Sequence, residues 1–286
     1  MVTGRSAARR WPTFLVSRFS RIYPVYLVAV LAVAALSSIP NFNFINPIHS
    51  TNEIIRHVLL LGSTGVLWSV PPEVQFYLLF PVIWLFFSDT RRYQAIGVML
   101  AAYLAVDALV GFPGSGILLV SKLAFFLLGA TVGRLQSRLN DRLDGITTGI
   151  LALTLPFVIL VSNHLFPNAD NAWGLAPAFA GALAVLLVAQ EHRISAAVFA
   201  AAPMRFLGKI SFSLYLFHVP VMFLMGNALW SAMPLYVVVP AAFAAALLIA
   251  WISYECIETP ARRALVSLWH ERGSKILGNP QPNTRS

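Results

Sequence analysis

Long apolar runs recur along this chain and leave it too little polar surface to fold in water. A bilayer crossing needs about 20 mostly apolar residues, with ~17–25 tolerated. Eight stretches approach that length: residues 22–39, 74–87, 95–110, 117–133, 146–162, 176–190, 210–225 and 235–254. The second is the shortest and is expected to extend backwards. Residues 54–67 are also apolar, but Arg56, His57 and a Gly-Ser-Thr-Gly break interrupt them, which predicts an interfacial or re-entrant piece. Charged residues make up 11% of the chain, against about 25% in soluble domains. Lipid is the solvent such an exterior requires. The expected fold is all-α, a polytopic transmembrane helix bundle of about eight spans.

Charge placement sets the expected orientation. When eight spans are threaded from an inside N-terminus, all of the 20 basic residues except Arg56 and Lys122 fall on one face. Lys and Arg are retained on the cytoplasmic side of a membrane, so both termini are expected there. Seven or nine crossings would scramble the split. The net charge of +9 thus belongs to membrane faces. No stretch interleaves basic residues with stacking aromatics, which argues against a nucleic-acid partner. Cys256 is the single cysteine, so no disulfide forms within the chain and no cysteine-based metal site exists. The histidines lack metal-ligand spacing, and no metal is expected. Residues 1–263 read as one transmembrane domain and 264–286 as a polar cytoplasmic tail, disordered beyond Trp269. Gly129 and Gly133 form a GxxxG pair, a close helix contact.

Ionisable groups inside spans cost several kcal/mol, about 2.5 to 3.5 for Arg or Asp at mid-membrane, so each cluster of them needs a reason. Phe14, Arg18 and Arg21 recur at i, i+4 and i+7, on one helix face. Two guanidinium forks at a cytoplasmic mouth suit a phosphate or pyrophosphate, or serve as an ordinary positive anchor. In Trp68-Ser69-Val-Pro-Pro-Glu73-Val-Gln-Phe-Tyr77 the two prolines place Glu73 in the first turn of a helix, where the dipole favours a carboxylate. Tyr77 follows at i+4. A plain outer helix start is the alternative. Ser211, Tyr215 and His218 make a polar stripe on an otherwise apolar helix, and His218 needs either a hydroxyl partner or a wet cavity, where it could move protons. Ser253-Tyr254-Glu255-Cys-Ile-Glu258-Thr-Pro260 reads as a polar end-cap, with Glu258 available to Arg262 at i+4 and Pro260 breaking the helix. Asp107 and Lys122 are expected to pair across the loop 111–116.

Taken in order, these segments resemble the acyltransferase-3 family, membrane O-acyltransferases that decorate bacterial sugars. Phe14…Arg18…Arg21-Ile-Tyr-Pro24 is similar to the RxxR entry to that family's third helix. Trp68 to Tyr77 resembles WSLSVEWQFY, with Val70-Pro71-Pro72 standing in place of Leu-Ser-Val. Lys122 to Gly129 resembles R/K-x-x-x-F-x-x-G, Leu207 to Pro220 resembles LGxISYSLYLWHWP, and Ser253 to Pro260 resembles SYxFIExP. The ordered match spans residues 14–263.

The resemblance implies ten helices, the first carrying a catalytic histidine. The chain opens just before the third, so it is expected to lack the first two helices and that histidine, and its own activity is open. It further implies acyl-CoA as donor substrate, with no bound cofactor. Arg18 and Arg21 would hold the donor's phosphates. Glu73 and His218 would serve as the catalytic pair, and Trp68, Ser69, Tyr77, Lys122, Ser211 and Tyr215 would line the substrate cavity. These stripes are expected to converge on a shared cavity. The implied acceptor is a hydroxyl of an extracytoplasmic carbohydrate, and the implied setting is the lipid of the bacterial inner membrane. A flippase for a lipid-linked saccharide and a catalytically dead membrane scaffold are the alternatives. The orientation has a direct test: in a Cys256→Ser background, S115C should react with an impermeant thiol reagent added outside cells, and N140C only after the membrane is opened.

Overall fold

The computed structural model describes residues 11–40, 44–86, 89–110, 116–139, 146–165, 175–190, 193–229 and 233–276. Among these residues every regular element is helical. In chain order the helices are α1 (Trp11–Ser37), α2 (Thr51–Val58), α3 (Val70–Phe86), α4 (Asp89–Val110), α5 (Leu123–Leu139), α6 (Ile146–Leu165), α7 (Leu175–Val188), α8 (Arg193–Phe199), α9 (Ala202–Leu229), α10 (Leu235–Ser253) and α11 (Thr259–Ile276). Each of the eight expected runs falls on one of them. The second does extend backwards, because a 3-10 turn (Gly65–Ser69) feeds α3 directly. Three helical stretches among the described residues are both long and apolar enough to cross a membrane: Trp11–Ser37, Ala202–Asn227 and Leu235–Glu271. Shorter apolar helices cover Gln94–Val106, Leu119–Gly133, Ile146–Val158 and Pro177–Val188.

Prolines lie inside α1, α3, α6, α9 and α10, at Pro24, Pro81, Pro156, Pro220 and Pro240. In water an interior proline costs ~3 kcal/mol. Membrane helices tolerate it because neighbouring helices and Ser or Thr side chains satisfy the freed backbone groups.

The chain divides into two compact units, Met1–Val70 with Ile210–Ser286, and Pro71–Lys209. In the first, α1 packs along α11 and against α2. Its buried side chains, including Ile22, Val25, Tyr26, Ala29, Val30 and Val33, recur at three- and four-residue steps. The segment expected to be interfacial or re-entrant holds α2, eight residues long. At 1.5 Å per residue that helix reaches only about 12 Å, too short to cross. A capping box starts it: the Ser50 side chain accepts from Glu53 N, and the Glu53 carboxylate accepts from the Ser50 and His49 amides. Those two amides hold the Glu53 carboxyl below the usual carboxylate range. Its far end is tied to α1, since the Tyr26 hydroxyl donates to His57 O at 3.1 Å and that of Tyr23 to Val58 O at 2.8 Å. His57 is a buried pin, with Nδ1 2.8 Å from Glu53 O and Nε2 accepting from Thr64 N.

Helix α10 inverts the pattern of a water-soluble helix. Val238, Ala242, Ala246, Ala250 and Ser253 face inward, while Tyr236, Val239, Phe243, Leu248 and Trp251 stand exposed. Small residues inside and bulky apolar ones outside describe a helix packed closely on protein and solvated by hydrocarbon. The helix does not stop at Pro260. A π turn (Tyr254–Glu258) carries it into α11, where Pro260 occupies the first turn and its missing N–H is tolerated. The segment expected to be disordered beyond Trp269 is helical through Ile276, and the Trp269 indole donates to Thr13 Oγ1 at 3.2 Å.

In the second unit, α6 packs on α7 and α8, α7 on α5, and α5 on α4. Ile96 and Leu127 centre a core with Leu79, Met99, Leu100, Leu123 and Ala130 around them. Phe76 of α3 stacks on Phe126 of α5 at 4.4 Å.

The inverted stripe makes a prediction. Ala246 is 2% exposed and Leu248 51%. Ala246→Leu should therefore destabilise by roughly 1–3 kcal/mol through overpacking, while Leu248→Ala in the same detergent should shift the unfolding midpoint little.

Candidate functional site

The first unit holds an arginine-lined cavity of about 520 Å³, bounded by Thr13, Phe14, Ser17, Arg18, Arg21 and Arg262. Helix α1 supplies five of these, because its i, i+4, i+7 spacing brings Phe14, Arg18 and Arg21 to one face as the sequence predicts. The Arg18 guanidinium sits 5.5 Å from the centre of the Phe14 ring, in cation–π range. Arg262 comes from the first turns of α11.

Beside this cavity lies a buried polar chain that periodicity alone misplaces. Glu258 is 2% exposed, and a carboxylate so placed costs several kcal/mol unless paired and hydrogen-bonded. Arg21 Nε approaches its Oε1 at 3.5 Å. Ser213 of α9 donates to its Oε2 at 3.1 Å, and Ser253 of α10 donates to Ser213 Oγ at 3.4 Å. Arg262 is near enough for its charge to act on the same carboxylate. The expectation of a polar end-cap, with Glu258 serving Arg262, is corrected: the ion-pair partner is Arg21, on a helix remote in sequence and beyond any local spacing rule.

The π turn sets the direction of Glu258. In an uninterrupted α-helix the five residues from Ser253 to Glu258 rotate the chain by 500°, leaving Glu258 roughly 140° off the inward face. The π turn carries more residues per revolution and closes with Thr259 N bonding to Tyr254 O. The inward stripe therefore steps from Ser253 to Glu258, and Arg262, one turn on, lies exposed on the cavity wall. No spacing rule signals it, although an acidic residue at the end of an apolar span was a cue to look for a basic partner.

The other expected site residues occupy separate local settings. Arg18 and Arg21 share the cavity. Glu73 lies in the first turn of α3 as expected, and the Tyr77 hydroxyl donates to its carboxylate. Trp68 and Ser69 lie in the preceding 3-10 turn, where the Ser69 hydroxyl donates to Val66 O at 3.1 Å. Lys122 is 5% exposed and ends a second 3-10 turn (Leu119–Lys122). Gln75 fixes the approach to that turn by donating to Ile117 O and accepting from Leu119 N, both at 2.8 Å. The side chain of Asp107, its expected partner, lies outside the described residues.

On α9, His218 Nδ1 is 2.7 Å from the Tyr215 carbonyl, and the two rings lie 5.9 Å apart. The partner is a backbone carbonyl rather than the hydroxyl considered from sequence. A carbonyl only accepts, so in the neutral ring Nδ1 carries the proton and Nε2 keeps its lone pair. Ser211 is exposed. Ser213, two residues on, is the serine of this helix that reaches inward.

Apolar helices and the shortage of charge define a membrane protein. The family model described as an acyltransferase domain matches residues 1–255, so the chain belongs to the acyltransferase-3 family. No curated protein and no solved structure matches it.

The buried chain predicts a graded response. Glu258→Ala should destabilise by about 2 kcal/mol, the scale of a hydrogen bond to a charged group. Glu258→Gln, which still accepts from Ser213, should lose less, and both are readable as unfolding midpoints of the purified protein.

Proposed function

We propose that this chain transfers an acyl group from cytoplasmic acyl-CoA to a hydroxyl of an extracytoplasmic carbohydrate. It would do so in the inner membrane of a bacterial cell, with about eight spans and both termini inside. The observation that carries the reading is the cavity on which Arg18 and Arg21 converge in a chain of an acyltransferase family. Two guanidiniums one turn apart on α1 match the phosphates of a CoA thioester in charge and in hydrogen-bond geometry. Trp269 of α11 donates to Thr13 in the first turn of α1, which supports placing the two terminal helices' polar ends on one side.

Chemically, the acceptor oxygen attacks the thioester carbonyl and forms the ester C–O bond. The C–S bond then breaks and CoA leaves as thiolate, taking up a proton to become the thiol. A base must remove the acceptor's proton during the attack. Within this chain His218 is suited to that step because its proton-bearing Nδ1 faces a carbonyl, leaving Nε2 to accept. Glu73, buttressed by Tyr77, is the carboxylate assigned to orient the reacting groups.

Kinetics of the purified chain in lipid nanodiscs, followed by free-thiol release from acetyl-CoA with an envelope polysaccharide as acceptor, test this directly. Arg18→Ala and Arg21→Ala should each raise KM for acetyl-CoA about tenfold with a smaller change in kcat. His218→Ala and Glu73→Gln should lower kcat by about 100-fold or more. Wild-type rates in both of the latter would remove the roles given to His218 and Glu73, and no thiol release by the wild-type chain would remove the enzymatic reading.

A further inference from the structure

Three arginines line one cavity, and Glu258 acts on two of them, Arg21 by direct contact and Arg262 through space. Arg18 and Arg21 lie on α1, while Arg262 reaches the same space from α11, so the positive groups come from two chain segments facing each other. The π turn that brings Glu258 inward also turns Arg262, one helical turn later, onto the cavity wall. Arg21 meets Glu258 through Nε, the inner nitrogen of its guanidinium, so that contact does not run through its terminal fork. A single phosphate is satisfied by the two arginines of α1. A third fork from the opposite segment suits a ligand with two separated phosphate groups, and about 520 Å³ is in the range of small-molecule sites.

We infer that Arg262 is a third anion ligand, and that the cavity takes a nucleotide carrying phosphate at two positions, held between α1 and α11. The inference rests on the acyl-CoA reading and adds to it a residue and a selectivity: a donor with both a ribose phosphate and a diphosphate should be preferred over one lacking the ribose phosphate. The same phosphate chemistry could come from an anionic lipid headgroup, so the test separates the two sources.

The experiment measures binding of adenosine 3′,5′-bisphosphate and of AMP to the full chain in phosphatidylcholine nanodiscs. Wild type should bind the bisphosphate more tightly than AMP. Arg262→Gln should weaken bisphosphate binding about tenfold, the effect of losing one good charged contact, and bring it towards the AMP value. Arg262→Lys should recover part of the loss.

Should Arg262→Gln bind the bisphosphate like wild type while Arg18→Ala does not, the third ligand is overturned and the acyl-CoA reading stands. If wild type binds neither nucleotide and is stabilised only by added phosphatidylglycerol, both are overturned in favour of a lipid site. Arginine modification of the wild-type protein by phenylglyoxal keeps the question open to an answer even if the variants fail to fold. The bisphosphate should protect Arg262, and equal modification with and without it counts against the inference.

Discussion

The ion pair between Arg21 and Glu258 is the constraint around which the first unit is arranged. A carboxylate this deep cannot stay ionised without compensation, and the compensation comes from two directions at once: a guanidinium on α1 and a hydroxyl on α9. Those contacts fix the rotation of three helices relative to one another. They also hold Arg21 at the edge of the arginine cavity rather than letting a long, flexible side chain sample the surface. Arg21 remains 37% exposed, so it is anchored at one end and accessible at the other. Fold and arginine cavity therefore depend on the same contact.

Much of the architecture was legible in the residues because lipid simplifies the code. With no water to satisfy the backbone, an apolar run has few options besides a helix, and each of the eight runs lies on one. Local side-chain geometry was legible wherever one unbroken helix carried it. Phe14, Arg18 and Arg21 share a face, and Tyr77 reaches Glu73, because 3.6 residues per turn holds through both segments. Pro71 and Pro72 put Glu73 in a first turn for the same local reason.

What escaped the sequence depends on changes of helical phase or on distant partners. Glu258 and Arg262 were assigned to each other because i and i+4 are neighbours on a regular helix. The π turn leaves them on one stripe and turns that stripe towards α1. Ser211 keeps step with Tyr215 and His218, yet the serine of α9 that reaches inward is Ser213, because inward and outward faces are decided by what packs against the helix. His57 looked isolated in a scatter of histidines, although its backbone and ring bind α2 to α1 and to the loop that follows. Proline as a helix stop is a rule that fails at Pro260, which falls in the opening turn of a renewed helix. Each of these cases turns on a change of helical phase or on a neighbour remote in sequence.

The renewed helix has a mechanical corollary. Besides Pro240, the rod assembled from α10 and α11 has a second break in its hydrogen-bond ladder, the π turn that joins them, and bends in long helices concentrate at such places. Upstream of that joint the alanine stripe locks α10 among its neighbours, and downstream the indole of Trp269 ties α11 to the first turn of α1. The π joint carries Glu258, so a bend there would shift the carboxylate that anchors Arg21.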